Sequence, residues 1–133
     1  MTRIMFACVH NAGRSQMAAA FLNQLSGGKA RAVSAGTNPG TRVHLEVVEA
    51  MKEVGIDLSA AVPQRLTTEL ASDADMLITM GCGDECPYVP GVTRNDWPLE
   101  DPKGRSLDDV RRIRDEIRRR VVELLNGVLL NGV

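Results

Sequence analysis

Ile4-Met5-Phe6-Ala7-Cys8-Val9 runs through His10-Asn11-Ala12-Gly13 into Arg14-Ser15, and the change of pattern along this stretch decides the fold. Its opening is an unbroken apolar run, as in a short parallel strand buried on both faces. Beyond Ser15, the residues Met17, Ala18, Phe21, Leu22 and Leu25 recur at helical spacing until Gly27-Gly28 breaks the pattern. A strand that enters a helix through a short loop brings backbone N–H groups of the loop and of the first helical turn toward one point, where they carry partial positive charge. That point suits a tetrahedral oxyanion. Arg14 adds a planar, permanently charged fork able to hold two oxygens at once. The same field favours the nucleophilic thiolate form of Cys8. Gly13 permits a tight turn, and Asn11 tolerates left-handed geometry while bonding locally. The competing reading is a buried small side chain at Cys8 and a surface charge at Arg14.

Outward from this unit, strand-like and helix-like segments alternate. Ala30 to Ala35 has the small and β-branched character of a short strand, and Ser34-Ala35-Gly36-Thr37-Asn38-Pro39-Gly40 reads as a loop. Leu45, Val48, Met51 and Val54 describe a helix closed by Gly55, and Leu66 to Ala71 a second, short one. Asp75 to Met80 is the clearest later strand, followed by a loop rich in glycine and cysteine, and a weaker strand is expected over Val92 to Trp97. Ser106 with Asp109 opens a last helix whose stripe is Leu107, Val110, Ile113, Ile117, Val121 and Leu124. Such alternation predicts an α/β fold, with helices on both faces of a parallel sheet and functional loops at the carboxyl ends of its strands. Residues 1–126 are expected to form a single domain. The twice-repeated Leu-Leu-Asn-Gly-Val predicts a helix end and a frayed tail over 127–133.

Composition narrows the partners. A chain of 133 residues suffices for one well-buried core. Its 16 basic and 17 acidic side chains nearly cancel, which argues against bulk attraction to nucleic acid or anionic membrane. Arg111, Arg112, Arg114, Arg118, Arg119 and Arg120 resemble a basic patch, but Asp115 stands four residues before Arg119 and Glu116 four before Arg120, the spacing of a solvated, paired face. Few aromatics are available to stack on bases. No apolar run is long enough to span a membrane and no signal peptide is visible, so a cytoplasmic protein is expected. The 3 cysteines, an odd number, fit redox or catalytic thiols better than a disulfide framework.

Five elements in order carry a family resemblance: the Cys-x5-Arg-Ser loop, Ser34-Ala35-Gly36-Thr37, Val54-Gly55-Ile56-Asp57-Leu58-Ser59, the loop Met80-Gly81-Cys82-Gly83-Asp84-Glu85-Cys86-Pro87, and Asp101-Pro102. Over almost its whole length the chain resembles arsenate reductases of the low-molecular-weight tyrosine phosphatase superfamily. The resemblance implies a flavodoxin-like, three-layer fold around a four-stranded parallel sheet. It also implies reduction of arsenate to arsenite as detoxification. By position, Cys8 resembles the nucleophile, Arg14 the oxyanion-binding arginine and Asp101 the general acid. Val9, His10, Asn11, Ala12, Gly13, Arg14 and Ser15 correspond to the oxyanion loop, with Asn11 and Ser15 ordering the pocket. Apart from the resemblance, Asp101-Pro102 reads as a common turn signal.

Phosphate, arsenate and sulfate are close analogues, so a tyrosine phosphatase is the second enzymatic reading. Against it, Gly13 stands where those phosphatases carry a second loop cysteine, His10 replaces a loop glycine, and Lys103-Gly104-Arg105 follows Asp101-Pro102 where they place aromatic residues. Phe6, Phe21, Tyr88 and Trp97 are the only aromatics, and the phenylalanines fall on core-facing positions. Cys82 and Cys86 are candidate redox or resolving thiols, since a two-electron reduction needs a second thiol. In one branch of the family protein cysteines supply it and thioredoxin regenerates the enzyme. In another, an external thiol such as mycothiol attacks and a mycoredoxin completes the cycle. The short span from Cys82 to Cys86 and the His10 loop resemble the second branch. No bound cofactor is expected. Two cysteines with no nearby histidine make an incomplete metal set, and Cys82 and Cys86 also read as inert residues of a glycine-rich loop. His10 and His44 stand alone as packing or surface residues. A non-catalytic oxyanion- or arsenic-binding module is the remaining alternative.

Overall fold

Alternate side chains of β1 (Thr2–Cys8) enter two separate cores, Ile4, Phe6 and Cys8 on one face and Met5 and Ala7 on the other. A strand buried on both faces must be apolar at every position, which is why its sequence reads as a run rather than an alternation. The structure is a computed structural model and describes residues 2–81, 86 and 89–130.

The chain continues through α1 (Arg14–Leu25), β2 (Ala30–Gly36), α2 (Leu45–Lys52), α3 (Thr68–Ser72), β3 (Met76–Thr79), β4 (Thr93–Asp96) and α4 (Leu107–Leu130). The sheet has 4 strands in the order β2-β1-β3-β4, and every pairing is parallel. Cys8 pairs with Gly36 at one end of the β1–β2 register and Thr2 with Ala30 at the other. The first core collects Met17, Phe21 and Leu22 of α1, Val47 and Met51 of α2, and Val110, Ile113, Ile117 and Val121 of α4. The second gathers Leu66, Ala71, Ala74, Leu77, Cys86 and Val89. This is the α/β architecture expected from the alternation of elements, in the flavodoxin-like, four-stranded form that the family resemblance implies. The strand order changes direction at β1, and the loops leaving the carboxyl ends of β1, β2 and β3 meet there, where ligands bind in open parallel sheets.

Two features of α4 depart from the sequence reading. The helix continues through Gly127 to Leu130, past the boundary expected near 126, because one interior glycine costs only about 1 kcal/mol against alanine. Residues 131–133 lie outside the described residues. Its charges also pair differently: Arg119 bonds Glu116 and Glu123 rather than Asp115, and Asp115 takes Arg114. Glu116 with Arg120 pairs as the spacing predicted. The cap is as expected, with Ser106 Oγ accepting the Asp109 N–H at 3.2 Å. No helix among the described residues is long and apolar enough to cross a membrane.

Candidate active site

Four carbonyls of the loop after β1 are tied to the segment after β2. Cys8 O accepts from the Thr37 N–H at 3.1 Å, Val9 O from Asn38 at 2.8 Å, His10 O from Gly40 at 2.9 Å and Ala12 O from His44 at 2.9 Å. In a planar trans peptide the N–H that follows a carbonyl points the opposite way. The N–H groups of Val9, His10, Asn11 and Gly13 are thereby turned toward the inner side of the loop. Asn11 makes this visible, since its N–H reaches Cys8 Sγ at 3.3 Å. The two segments approach so closely that a Cβ on Gly36 would lie 2.5 Å from Val9 O and 2.9 Å from Asn11 N. Only glycine fits there.

Asn11 has φ 51°, the left-handed conformation that asparagine tolerates better than most residues. Its side chain is oriented by neighbours that leave no choice. The Gln64 backbone N–H, which can only donate, meets Asn11 Oδ1 at 3.0 Å, and Gln16 Nε2 donates to the same oxygen at 3.2 Å. Asn11 Nδ2 is therefore the donor to Ser15 Oγ at 2.7 Å. Ser15 Oγ stands 2.9 Å from Cys8 Sγ, and toward a thiolate, which can only accept, the hydroxyl is the donor. Two donors, the Ser15 hydroxyl and the Asn11 N–H, thus converge on one buried sulfur, an arrangement that stabilises negative charge on it. Gln64 is itself held by Nε2 donating to Ser34 O at 2.8 Å and by its carbonyl accepting the Gly36 N–H at 2.9 Å.

Arg14 opens α1 and is only 6 % exposed. Its Nη1 donates to Leu99 O at 3.4 Å, and its Nη2 lies 3.7 Å from Asp101 Oδ2. A Cβ on Gly81 would stand 2.3 Å from Nη1. The guanidinium is therefore packed between the loop after β3 and the segment that bears Asp101. Asp101 is half-exposed, and its Oδ1 accepts the Lys103 N–H at 3.0 Å, closing the turn that was the plain reading of Asp101-Pro102. His44 faces this group: burial pushes its imidazole below the ordinary histidine value, against the pull of the Asp101 carboxylate.

The loop after β1, Arg14 and Asp101 are thus brought together. Cys8 carries a free thiol. Cys86 is buried and disulfide-bonded, and it belongs to the core on the other face of the sheet from Cys8. Cys82 lies outside the described residues. His10 bonds Asn38 O through Nδ1 at 3.1 Å. Gln16, Gln64, Gly81 and the Leu99 carbonyl are parts of the site that sequence reading did not single out. A hollow of about 270 Å³, lined by Arg3, Ile4, Arg31, Val33, Leu70, Asp73 and Ala74, opens near the opposite end of β1 from Cys8 and shares no residue with the site.

A match to the family described as low molecular weight phosphotyrosine protein phosphatase spans residues 3–131. The chain belongs to that family. It is similar to the glutaredoxin arsenate reductase of Synechocystis sp., 38 % identical over 128 residues that cover 94 % of this chain and 97 % of the relative. Among solved structures it resembles the thioredoxin-dependent arsenate reductase of Corynebacterium glutamicum, with TM-score 0.85 and 38 % identity, covering 98 % of this chain and 63 % of that longer one. It also resembles an arsenate reductase in the phosphate binding state, with TM-score 0.84 and 36 % identity over 96 % of this chain and 99 % of that one. Like these family members the chain is an enzyme.

Proposed function

We propose that this family member is an arsenate reductase in which Cys8 attacks arsenate. The reading is carried by one observation: Ser15 Oγ and the Asn11 N–H both point at Cys8 Sγ, while Arg14 and Asp101 stand together beside the same loop. Arg14 and the inward amides hold the arsenate oxygens. A sulfur–arsenic bond forms, an arsenic–oxygen bond breaks, and Asp101 supplies the proton with which that oxygen leaves as water. A second thiol then completes the two-electron reduction: a disulfide forms as the electron pair of the sulfur–arsenic bond stays on arsenic, which departs as arsenite.

The His10-containing loop and the short spacing of Cys82 and Cys86 support an external low-molecular-weight thiol such as mycothiol, with mycoredoxin, as the donor. A second reading has its own support. Cys86 is placed to form a disulfide while Cys8 stays free, which a protein-thiol cascade requires, and thioredoxin would then regenerate the enzyme. Arsenite release by Cys82→Ser and Cys86→Ser variants separates the two. Turnover with mycothiol and mycoredoxin that survives both substitutions supports the external thiol, and turnover with thioredoxin that either substitution abolishes supports the cascade. Efficient hydrolysis of phosphotyrosine peptides without arsenite production would instead return the chain to the phosphatases.

A further inference from the structure

The side of Gly13 on which a side chain would stand is already filled. A Cβ there would lie 2.7 Å from Pro102 Cγ and 3.4 Å from Pro102 Cδ, with His44 Cδ2 at 3.6 Å. Gly13 has φ −147°, outside the left-handed region, and the space beside it is filled. Pro102 is buried, and its ring cannot swing away as a longer side chain would. The turn around it is closed at both ends, by the Lys103 N–H on Asp101 Oδ1 at 3.0 Å and by the Arg105 N–H on Pro102 O at 3.1 Å. Asp101 and Pro102 therefore move as one piece. Asp101 Oδ2 stands 3.7 Å from the guanidinium of Arg14, the residue next to Gly13.

We propose that Gly13 is a positioning residue whose bare face forms a notch for the Pro102 ring, and that this seat sets the Asp101 carboxyl against the anion site. A side chain at position 13 lifts the turn and withdraws Asp101 without altering the amides that hold the anion. The inference rests on the reading of Asp101 as proton donor to the leaving oxygen.

The test is arsenite release by Gly13→Ala, Pro102→Ala and the double variant, with whichever thiol system supports the native enzyme. Misplacing a catalytic group by about 1 Å costs on the order of 100-fold, so Gly13→Ala is expected to lower kcat about 10- to 100-fold while KM for arsenate stays within about threefold. Pro102→Ala removes the obstructing atoms, and the double variant returns to within about threefold of Pro102→Ala alone. Iodoacetamide alkylation of Cys8 at the native rate in Gly13→Ala reports an intact oxyanion loop. Pro102→Gly, which leaves Gly13 untouched, lowers kcat without raising KM, and keeps the inference testable where Gly13→Ala does not fold. Native kcat in Gly13→Ala, an effect confined to KM, or a double variant slower than Pro102→Ala by the full factor that Gly13→Ala imposes on the native enzyme overturns it. Asp101→Asn separates the two levels. Native kcat in Asp101→Asn overturns the reading of Asp101 and the inference with it, whereas a slow Asp101→Asn beside a fast Gly13→Ala overturns the inference alone.

Discussion

Ser15 Oγ stands 2.9 Å from Cys8 Sγ while accepting the Asn11 amide at 2.7 Å, so it is held against the sulfur and donates to it when Cys8 is the thiolate. A residue far along the chain holds this hydroxyl in place, since the Gln64 N–H fixes which end of the Asn11 amide faces Ser15. Sequence position, backbone trace and reactivity at Cys8 are linked through that one amide.

Ser15→Ala removes a hydrogen bond to the reacting sulfur. Bonds of this kind to charged groups contribute about 1.5–3 kcal/mol, so kcat is expected to fall roughly 10- to 100-fold. The rate of Cys8 alkylation by iodoacetamide at neutral pH should fall in parallel, and Ser15→Thr should recover much of both. An alkylation rate unchanged in Ser15→Ala would mean that the hydroxyl does not act on the sulfur.

Gly81 has φ 99°, which favours glycine, and a Cβ there would force the end of the Arg14 side chain to shift. Gly81→Ala is expected to destabilise the fold by about 1–3 kcal/mol and, by displacing the guanidinium, to raise KM for arsenate about tenfold or more. Arsenate titration and thermal melting read the two effects separately. Native KM in a folded Gly81→Ala protein would show that Arg14 adjusts without loss.

Glu53 joins α2 to α4. Its carboxylate accepts from Arg111 Nη2 at 2.6 Å and Arg114 Nη1 at 2.9 Å, and these bonds, Arg111 first, hold its pKa down to about 2 from the ordinary 4.5. The folded carboxylate resists protonation more than the unfolded one, so its contribution is fully present above pH 4.5 and disappears as pH falls toward about 2. Urea unfolding of native protein and Glu53→Gln at several pH values should show a difference at neutral pH that shrinks through this window. A difference independent of pH would contradict the assignment.

Where a residue type carries its own signal, the sequence was enough. The apolar run to Cys8, the helical period after Ser15 and the Ser106 cap each state a local preference that packing did not override. Gly127 failed as a stop because a lone glycine is a small cost against a helix already docked through Val121 and Leu125. Arg119 chose Glu116 and Glu123 over Asp115 because several carboxylates lie within reach on one helix face. Gln64 was illegible for a different reason: it acts on Asn11 through its backbone N–H, which nearly every residue type possesses. The Gly13 notch was equally hidden, since glycine in a loop reads as a turn until the distant Pro102 is seen against it.

Cys8 is the thiol proposed to attack arsenate. The most direct test is arsenite release from arsenate by the purified native protein and Cys8→Ser, each supplied in turn with thioredoxin and its reductase and with mycothiol and mycoredoxin. Arsenite is expected from the native protein with at least one system, and none above background from Cys8→Ser. Comparable release from both proteins, or none from the native protein with either system, would contradict it.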